Sequence, residues 1–320
     1  MTAETPQTSS AQGVSRRQAL LRMGAAGGGA CAALAAKEAS ASLGGHPGPA
    51  PKALGMLYDT TLCIGCKACV VACAEANDLE PDTAAANGLW QMPDDLNAKT
   101  KNIIKLHRDE EQGISAFVKR QCMHCVDPGC VSGCPFTALV QHPETGIVTW
   151  NASQCIGCRY CQVACPFEVP KFEWENFNPK IVKCELCAHR LDEKGEPACT
   201  EVCPTEAVVF GRRDELLEQA KGRIAARPER YIDHVYGEKE AGGTNVLYLS
   251  HVPFEKIGLP RLSSIPHGWY GSWVHSLLYK WLLLPAALYA LVAWVMTKRW
   301  HEHEEEAKEA ARETGLPPQI

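Results

Sequence analysis

Cys155-Ile-Gly-Cys158-Arg-Tyr-Cys161-Gln-Val-Ala-Cys165-Pro166 puts four thiols into eleven residues and closes on a proline. The spacing C-x2-C-x2-C-x3-C-P is one by which thiolates hold 4Fe-4S clusters, with the last cysteine reaching over to a neighbouring cluster. It follows from the cubane. Each of four irons takes one thiolate, a tight loop meets three of them, and the fourth ligand must come from elsewhere. Thiolates are the soft ligands such clusters select. The proline turns the chain, since it continues neither a helix nor a strand ladder.

The other cysteines vary this run. Cys63, Cys66, Cys69 and Cys73 repeat the spacing and share eight of eleven residues with the Cys155 run, which marks an internal duplication, although Ala74 replaces the proline. Cys122, Cys125, Cys130 and Cys134-Pro135 form a second type, with four residues between the second and third cysteines. Cys184, Cys187, Cys199 and Cys203-Pro204 match that type with a gap of eleven. Sixteen of the seventeen cysteines therefore fall into four quartets of alternating type. A ferredoxin-like unit uses one pair of quartets, so the sequence predicts two units and four 4Fe-4S clusters in an α+β fold.

Disulfide frameworks of small secreted domains do not repeat such a run. Structural zinc uses C-x2-C pairs across a longer span. The Cys184, Cys187, Cys199 and Cys203 group alone would pass for that, but the triple-cysteine loops would not. A zinc-bound structural protein therefore stands as the alternative of another class. Three cysteines in the C-x3-C-x2-C order of radical enzymes are absent.

The elements that must carry these loops read in chain order. Residues 1–41 read as a twin-arginine signal peptide: Ser15-Arg16-Arg17-Gln18-Ala19-Leu20-Leu21-Arg22, a Gly/Ala-rich stretch from Met23 to Ala36, and Ala39-Ser40-Ala41 as a cleavage site. That route exports folded, cofactor-loaded proteins. Ala19, Lys37 and Glu38 depart from the usual pattern, and Cys31, the odd cysteine, is expected to leave with the signal. Residues 42–56 form a Gly/Pro linker, 57–211 the double ferredoxin-like domain, and 212–272 a C-terminal extension of the exported domain. Within them, strands are expected at Leu57–Asp59, Asn102–Leu106, Ile147–Trp150, Val208–Phe210 and Val246–Leu249, the second inside a polar surface insertion over 75–115. A helix is expected at Asp214–Ala226, with Asp214 as N-cap and Pro228 as its stop.

Residues 273–300 read as a single transmembrane helix. Trp281–Met296 is uninterruptedly apolar, Lys280 reaches toward the interface, and Trp273, Trp281, Trp294 and Trp300 lie near the ends. Pro285 bends such a helix without forbidding it. Lys298 and Arg299 then place the 301–320 tail in the cytoplasm by the positive-inside rule, and the main domain on the periplasmic face of the inner membrane.

A net charge of −5 over 320 residues suggests no nucleic-acid partner. The sequence has no nucleotide-binding glycine motif, no phosphate loop and no C-x-x-C-H haem attachment. His124 and His142 read as structural rather than as ligands. Lys67 and Arg159, inside cysteine loops, are expected to face solvent, with a potential-raising role as the alternative. The chain carries electrons and offers no catalytic residues, so it reads as one part of a larger enzyme.

The four-quartet order resembles the iron–sulfur subunits of membrane-bound formate dehydrogenase, dimethyl sulfoxide reductase and nitrate reductase complexes. It is most similar to the hydrogenase-2 type (HybA type) of electron-transfer subunit, on three strings: Leu54-Gly-Met-Leu-Tyr-Asp-Thr-Thr-Leu-Cys63, Gln121-Cys-Met-His-Cys-Val-Asp-Pro128 and Tyr236-Gly-Glu-Lys-Glu-Ala-Gly-Gly-Thr-Asn-Val246. The resemblance implies crossed ligation. Cys63, Cys66 and Cys69 would share a cluster with Cys203, and Cys184, Cys187 and Cys199 one with Cys73. Cys122, Cys125 and Cys130 would join Cys165, and Cys155, Cys158 and Cys161 would join Cys134. It also implies partners: the small and large subunits of a periplasmic nickel–iron hydrogenase, an integral-membrane quinone-reducing subunit, and membrane lipid. The same wire serving a formate dehydrogenase or other molybdopterin enzyme is the nearest alternative.

Overall fold

The computed structural model describes residues 48–80, 93–111, 113–174 and 179–314. The signal peptide read over 1–41 and the start of the linker lie outside them, as do parts of the insertion and the end of the tail. In chain order, β1 (Leu54–Asp59) leads into the first cysteine loop and α1 (Ala68–Ala76). The strands β2 (Asn102–Asp109) and β3 (Ile114–Gln121) form a hairpin, followed by the second loop and α2 (Gly129–Ser132). A second hairpin, β4 (Leu139–Gln141) and β5 (Val148–Trp150), leads to the third loop and α3 (Tyr160–Val163). Then come β6 (Lys171–Phe172), β7 (Ile181–Val182), α4 (Leu191–Lys194), α5 (Ala198–Glu201), β8 (Val208–Arg212), α6 (Arg213–Ala226), β9 (Val246–Leu249) and α7 (His267–Thr314).

The five expected strands fall in β1, β2, β5, β8 and β9. The insertion differs from expectation. Its hairpin buries Ile103, Ile104 and Val118 almost completely, so apolar side chains draw it into the core and only part of 75–115 is surface loop.

The central sheet runs β8-β1-β9, with β1 antiparallel to β8 and parallel to β9. Strand side chains alternate between faces, and here both faces are covered. Leu57, Leu247 and Leu249 pack under α6 against Leu216, Ala220 and Ile224, which recur every four residues and so share one face of that helix. Met56, Tyr58, Val246 and Tyr248 point the other way, into a core shared with Cys69, Cys122, Cys184 and Cys199. Residues 212–272 supply the helix that covers one face of this sheet and the strand β9 that completes it.

The N-terminus of α6 differs by one or two residues from expectation. Arg212, not Asp214, holds the cap position, and no side chain caps the helix. Asp214 sits in the first turn, where its charge complements the helix dipole, and pairs with Arg212 at 2.7 Å. The helix stops at Arg227, before Pro228.

Helix α7 runs 48 residues, through Pro285, and its start packs on α2. Among the described residues no helix is long and apolar enough to cross a membrane. The side chains of 272–284, most of the first half of the expected span, lie outside the described residues. Beyond them Leu288, Tyr289, Leu291, Trp294 and Met296 are exposed along the helix.

Candidate metal centres

The two duplicated loops adopt the same local geometry. In each, the residue before the short helix is left-handed, Lys67 at φ 59° ahead of α1 and Arg159 at φ 65° ahead of α3. Two residues earlier a glycine is left-handed too, Gly65 at φ 70° and Gly157 at φ 72°. Left-handed residues reverse the chain within a few atoms, which lets three thiols of one loop face a common point. The Gly65 amide also donates to Cys63 Sγ at 3.4 Å. Similar amide contacts reach Cys134 Sγ from Ala138 at 3.3 Å and Cys184 Sγ from Leu186 at 3.4 Å. Such donors favour the thiolate and tune a metal bound to it.

All sixteen quartet cysteines are free thiols. The fold brings them together across quartets. Cys63, Cys66, Cys69 and Cys203 line one small cavity with Tyr58, Ile104 and Val208. Burial pushes the Cys73 thiol up to about 12, with Cys184 and Cys187 close enough to add to it. Burial raises Cys125 well above the ordinary thiol range, with Cys165, Cys122 and Cys130 adding. Cys161 is pushed up to about 12 by burial, then by Cys134, Cys155 and Cys158. Each neighbourhood thus gathers thiols of one loop and one from a partner quartet.

The neighbourhoods also touch in series. Cys69 acts on Cys199, Cys122 on Cys184, and Cys161 on Cys130. Cys66 and Cys158, at the two ends of that series, are the exposed thiols, while Cys73, Cys122, Cys130, Cys184, Cys187 and Cys199 between them are buried.

Crowded, buried thiols at neutral pH need a reason to be thiolates, and a metal supplies one by deprotonating its ligand outright. An independent observation fits a cluster. Lys119 is fully buried, and its Nζ has no hydrogen-bond partner. A buried unpaired ammonium costs several kcal/mol by rough estimate, so it calls for negative charge nearby. The thiols that act on it are those of Cys69, Cys199, Cys73 and Cys184, and iron–sulfur clusters on thiolates carry net negative charge.

The remaining candidates resolve as follows. His124 is fully buried and accepts from the Val148 amide at 3.0 Å. Burial and nearby Lys183 push its pKa well below the ordinary value, so it is a neutral tie to β5. His142 accepts from the Thr145 amide within the hairpin turn. Lys67 is half-buried, and desolvation lowers its pKa. Arg159 is half-buried, and its guanidinium stacks on the exposed Trp174 ring at 3.9 Å. Sequence reasoning passed over Lys119 and Lys183. Lys183 is also buried, but its Nζ donates to the Val148 carbonyl at 2.5 Å and the Cys184 carbonyl at 2.9 Å.

The three strings that flank the cysteines meet at Asn245. Its amide donates to the Met123 and His124 carbonyls, its carbonyl accepts from Met56, and its side chain donates to Gly146. A Cβ at Gly55 would lie 1.9 Å from the Asn245 carbonyl oxygen, so the first and third strings fit only with glycine there.

This architecture has relatives. Two 4Fe-4S dicluster domains match, over residues 62–138 and 114–213. The hydrogenase-2 operon protein HybA of Escherichia coli is 43% identical over 274 residues, covering 76% of this chain and 83% of that protein. The chain belongs to this family of 4Fe-4S dicluster iron–sulfur subunits, in its HybA type. The nitrate-inducible formate dehydrogenase iron–sulfur subunit of E. coli is 40% identical over 61% of this chain and 67% of its own length. The formate dehydrogenase-O iron–sulfur subunit is 38% identical over 70% and 80%. The chain is an electron-transfer iron–sulfur subunit of an oxidoreductase complex and not its catalytic subunit.

Proposed function

We propose that this subunit holds four 4Fe-4S clusters and carries electrons from a nickel–iron hydrogenase to an integral-membrane subunit that reduces quinone. Bound clusters supply one-electron carriers, and the protein's part is to fix their order and set their potentials. The ligand sets are Cys63, Cys66, Cys69 with Cys203; Cys184, Cys187, Cys199 with Cys73; Cys122, Cys125, Cys130 with Cys165; and Cys155, Cys158, Cys161 with Cys134. The four thiol neighbourhoods support these sets. Exposed Cys66 and Cys158 suit exchange with partners at opposite ends of the series.

The observation that carries the hydrogenase reading is the 43% identity to a hydrogenase-2 operon protein over 83% of its length. The second reading, a formate dehydrogenase or related molybdopterin partner, rests on relatives at 40% and 38% identity. Export by the twin-arginine route and anchoring by α7 belong to the same proposal. Exposed Leu288, Leu291, Trp294 and Met296 support anchoring, since such a row of apolar side chains is covered by lipid or protein rather than water.

Anaerobic purification of the intact complex, with nickel and molybdenum analysis, decides between partners. Nickel without molybdenum is expected. Molybdenum or tungsten without nickel refutes the hydrogenase partner and selects the second reading.

A further inference from the structure

We propose that Lys119 is a fixed positive charge shared by two adjacent clusters, raising chiefly the reduction potential of the one on Cys73, Cys184, Cys187 and Cys199. The inference rests on the cluster assignment proposed above and adds a residue that sets potential to it.

Three observations carry it. Lys119 is fully buried on β3, paired in register with Ile104 of β2, so its side chain has no route to water. Its Nζ makes no hydrogen bond to the protein, whereas the other fully buried lysine among the described residues, Lys183, is tied to two backbone carbonyls. Lys183 is thus a structural pin, and Lys119 is a charge without a tie. Third, the thiols around it are not those of one quartet. Cys73, Cys184 and Cys199 belong to one neighbourhood and Cys69 to the next.

The backbone at this position is itself held. The Tyr248 hydroxyl of β9 donates to the Lys119 carbonyl at 2.7 Å, and Tyr58, edge-on to Tyr248 at 5.4 Å, donates to the Phe117 carbonyl at 2.9 Å. The extension strand therefore locks the stretch that delivers the ammonium. Thiolates holding the two clusters would supply the opposite charge that keeps a fully buried, untied ammonium charged. In surroundings of low dielectric a fixed cation acts on nearby charges with little screening. Reduction adds an electron to a cluster, so a neighbouring cation favours the reduced form and raises its potential.

The test is a potentiometric titration of the purified complex, followed by electron paramagnetic resonance, comparing wild type with K119M, K119Q and K119R. Met and Gln keep length without charge, and Arg keeps charge. Both neutral variants are expected to retain their iron and to lower one of the four potentials by at least 59 mV, a tenfold change in a one-electron equilibrium. A smaller drop is expected at one neighbour, no change at the other two, and wild-type values in K119R. Full iron with all four potentials unchanged overturns the proposal. Loss of iron from both neutral variants also overturns it, in favour of a role in holding the cysteines. Failure of the underlying cluster assignment is separable, because wild type itself would then lack four 4Fe-4S signals.

Discussion

Replacing Gly65 by alanine is the sharpest local perturbation of a cysteine loop. Two costs arise. Gly65 has φ 70°, and a non-glycine residue in the left-handed region costs roughly 1–2 kcal/mol. The new Cβ would lie 2.3–2.6 Å from three atoms of the Phe117 ring. Overpacking of this kind costs about 1–3 kcal/mol, for a sum of about 2–5 kcal/mol. The lower figure alone is about thirtyfold in a rate or equilibrium constant. Cluster loss is irreversible, so the assay is a rate: decay of the visible cluster absorbance under chelator, in G65A, F117L and G65A/F117L. G65A is expected to speed release of one cluster of the four. Leucine at 117 removes the clashing ring atoms while the left-handed cost stays. The double variant should therefore lose its cluster more slowly than the product of the single effects, by a coupling of about 1–3 kcal/mol. Strictly additive effects would refute the clash, and wild-type release in G65A would refute the need for glycine in the loop.

Three further outcomes follow from the same geometry. Cys203→Ser should disturb the cluster on Cys63, Cys66 and Cys69, whereas Cys73→Ser should disturb the one on Cys184, Cys187 and Cys199; iron counts and paramagnetic resonance of the two variants check the crossing. Glu185 binds Lys101 at 2.9 Å and accepts from the Trp150 amide at 2.8 Å, and those contacts overcome burial to lower its pKa. A lowered carboxylate stabilises above its unfolded pKa and loses that contribution as pH falls through the folded one. E185Q should therefore cost about 1–2 kcal/mol at neutral pH, with the gap to wild type closing below the ordinary glutamate range in thermal melts at several pH values. Truncation after Ser272, which leaves the start of α7 packed on α2 and removes the rest of the helix, should release the cluster domain from membranes with its absorbance intact. Retention in the membrane fraction would show that α7 is not the anchor.

The gathering of the thiols was legible in the cysteine spacing, as where Cys63, Cys66, Cys69 and Cys203 line one cavity. The duplicated loops at Cys63 and Cys155 keep the same left-handed turn at Gly65 and Gly157. Strand positions were legible where apolar residues cluster, as at Val246–Leu249, but their partners were not. That β9 lies parallel to β1 depends on Asn245 meeting Met56, Met123 and Gly146, contacts between residues up to 189 positions apart in the chain. Lys119 stayed hidden for a related reason. Lys119 and Arg120 are adjacent cations just before Cys122, and only the register of β3 against β2 determines that Lys119 turns inward while Arg120 reaches the Gly258 carbonyl. The stacking of Arg159 on Trp174, fifteen residues on, was likewise not legible.

The central claim is that four clusters sit in series in one chain. The most direct measurement is iron and acid-labile sulfide content of this subunit, with Mössbauer spectra of the iron-57 form, on complex purified without oxygen. The account predicts roughly sixteen irons and as many sulfides, all in 4Fe-4S form. Half that iron, or zinc in place of iron at any quartet, would contradict it.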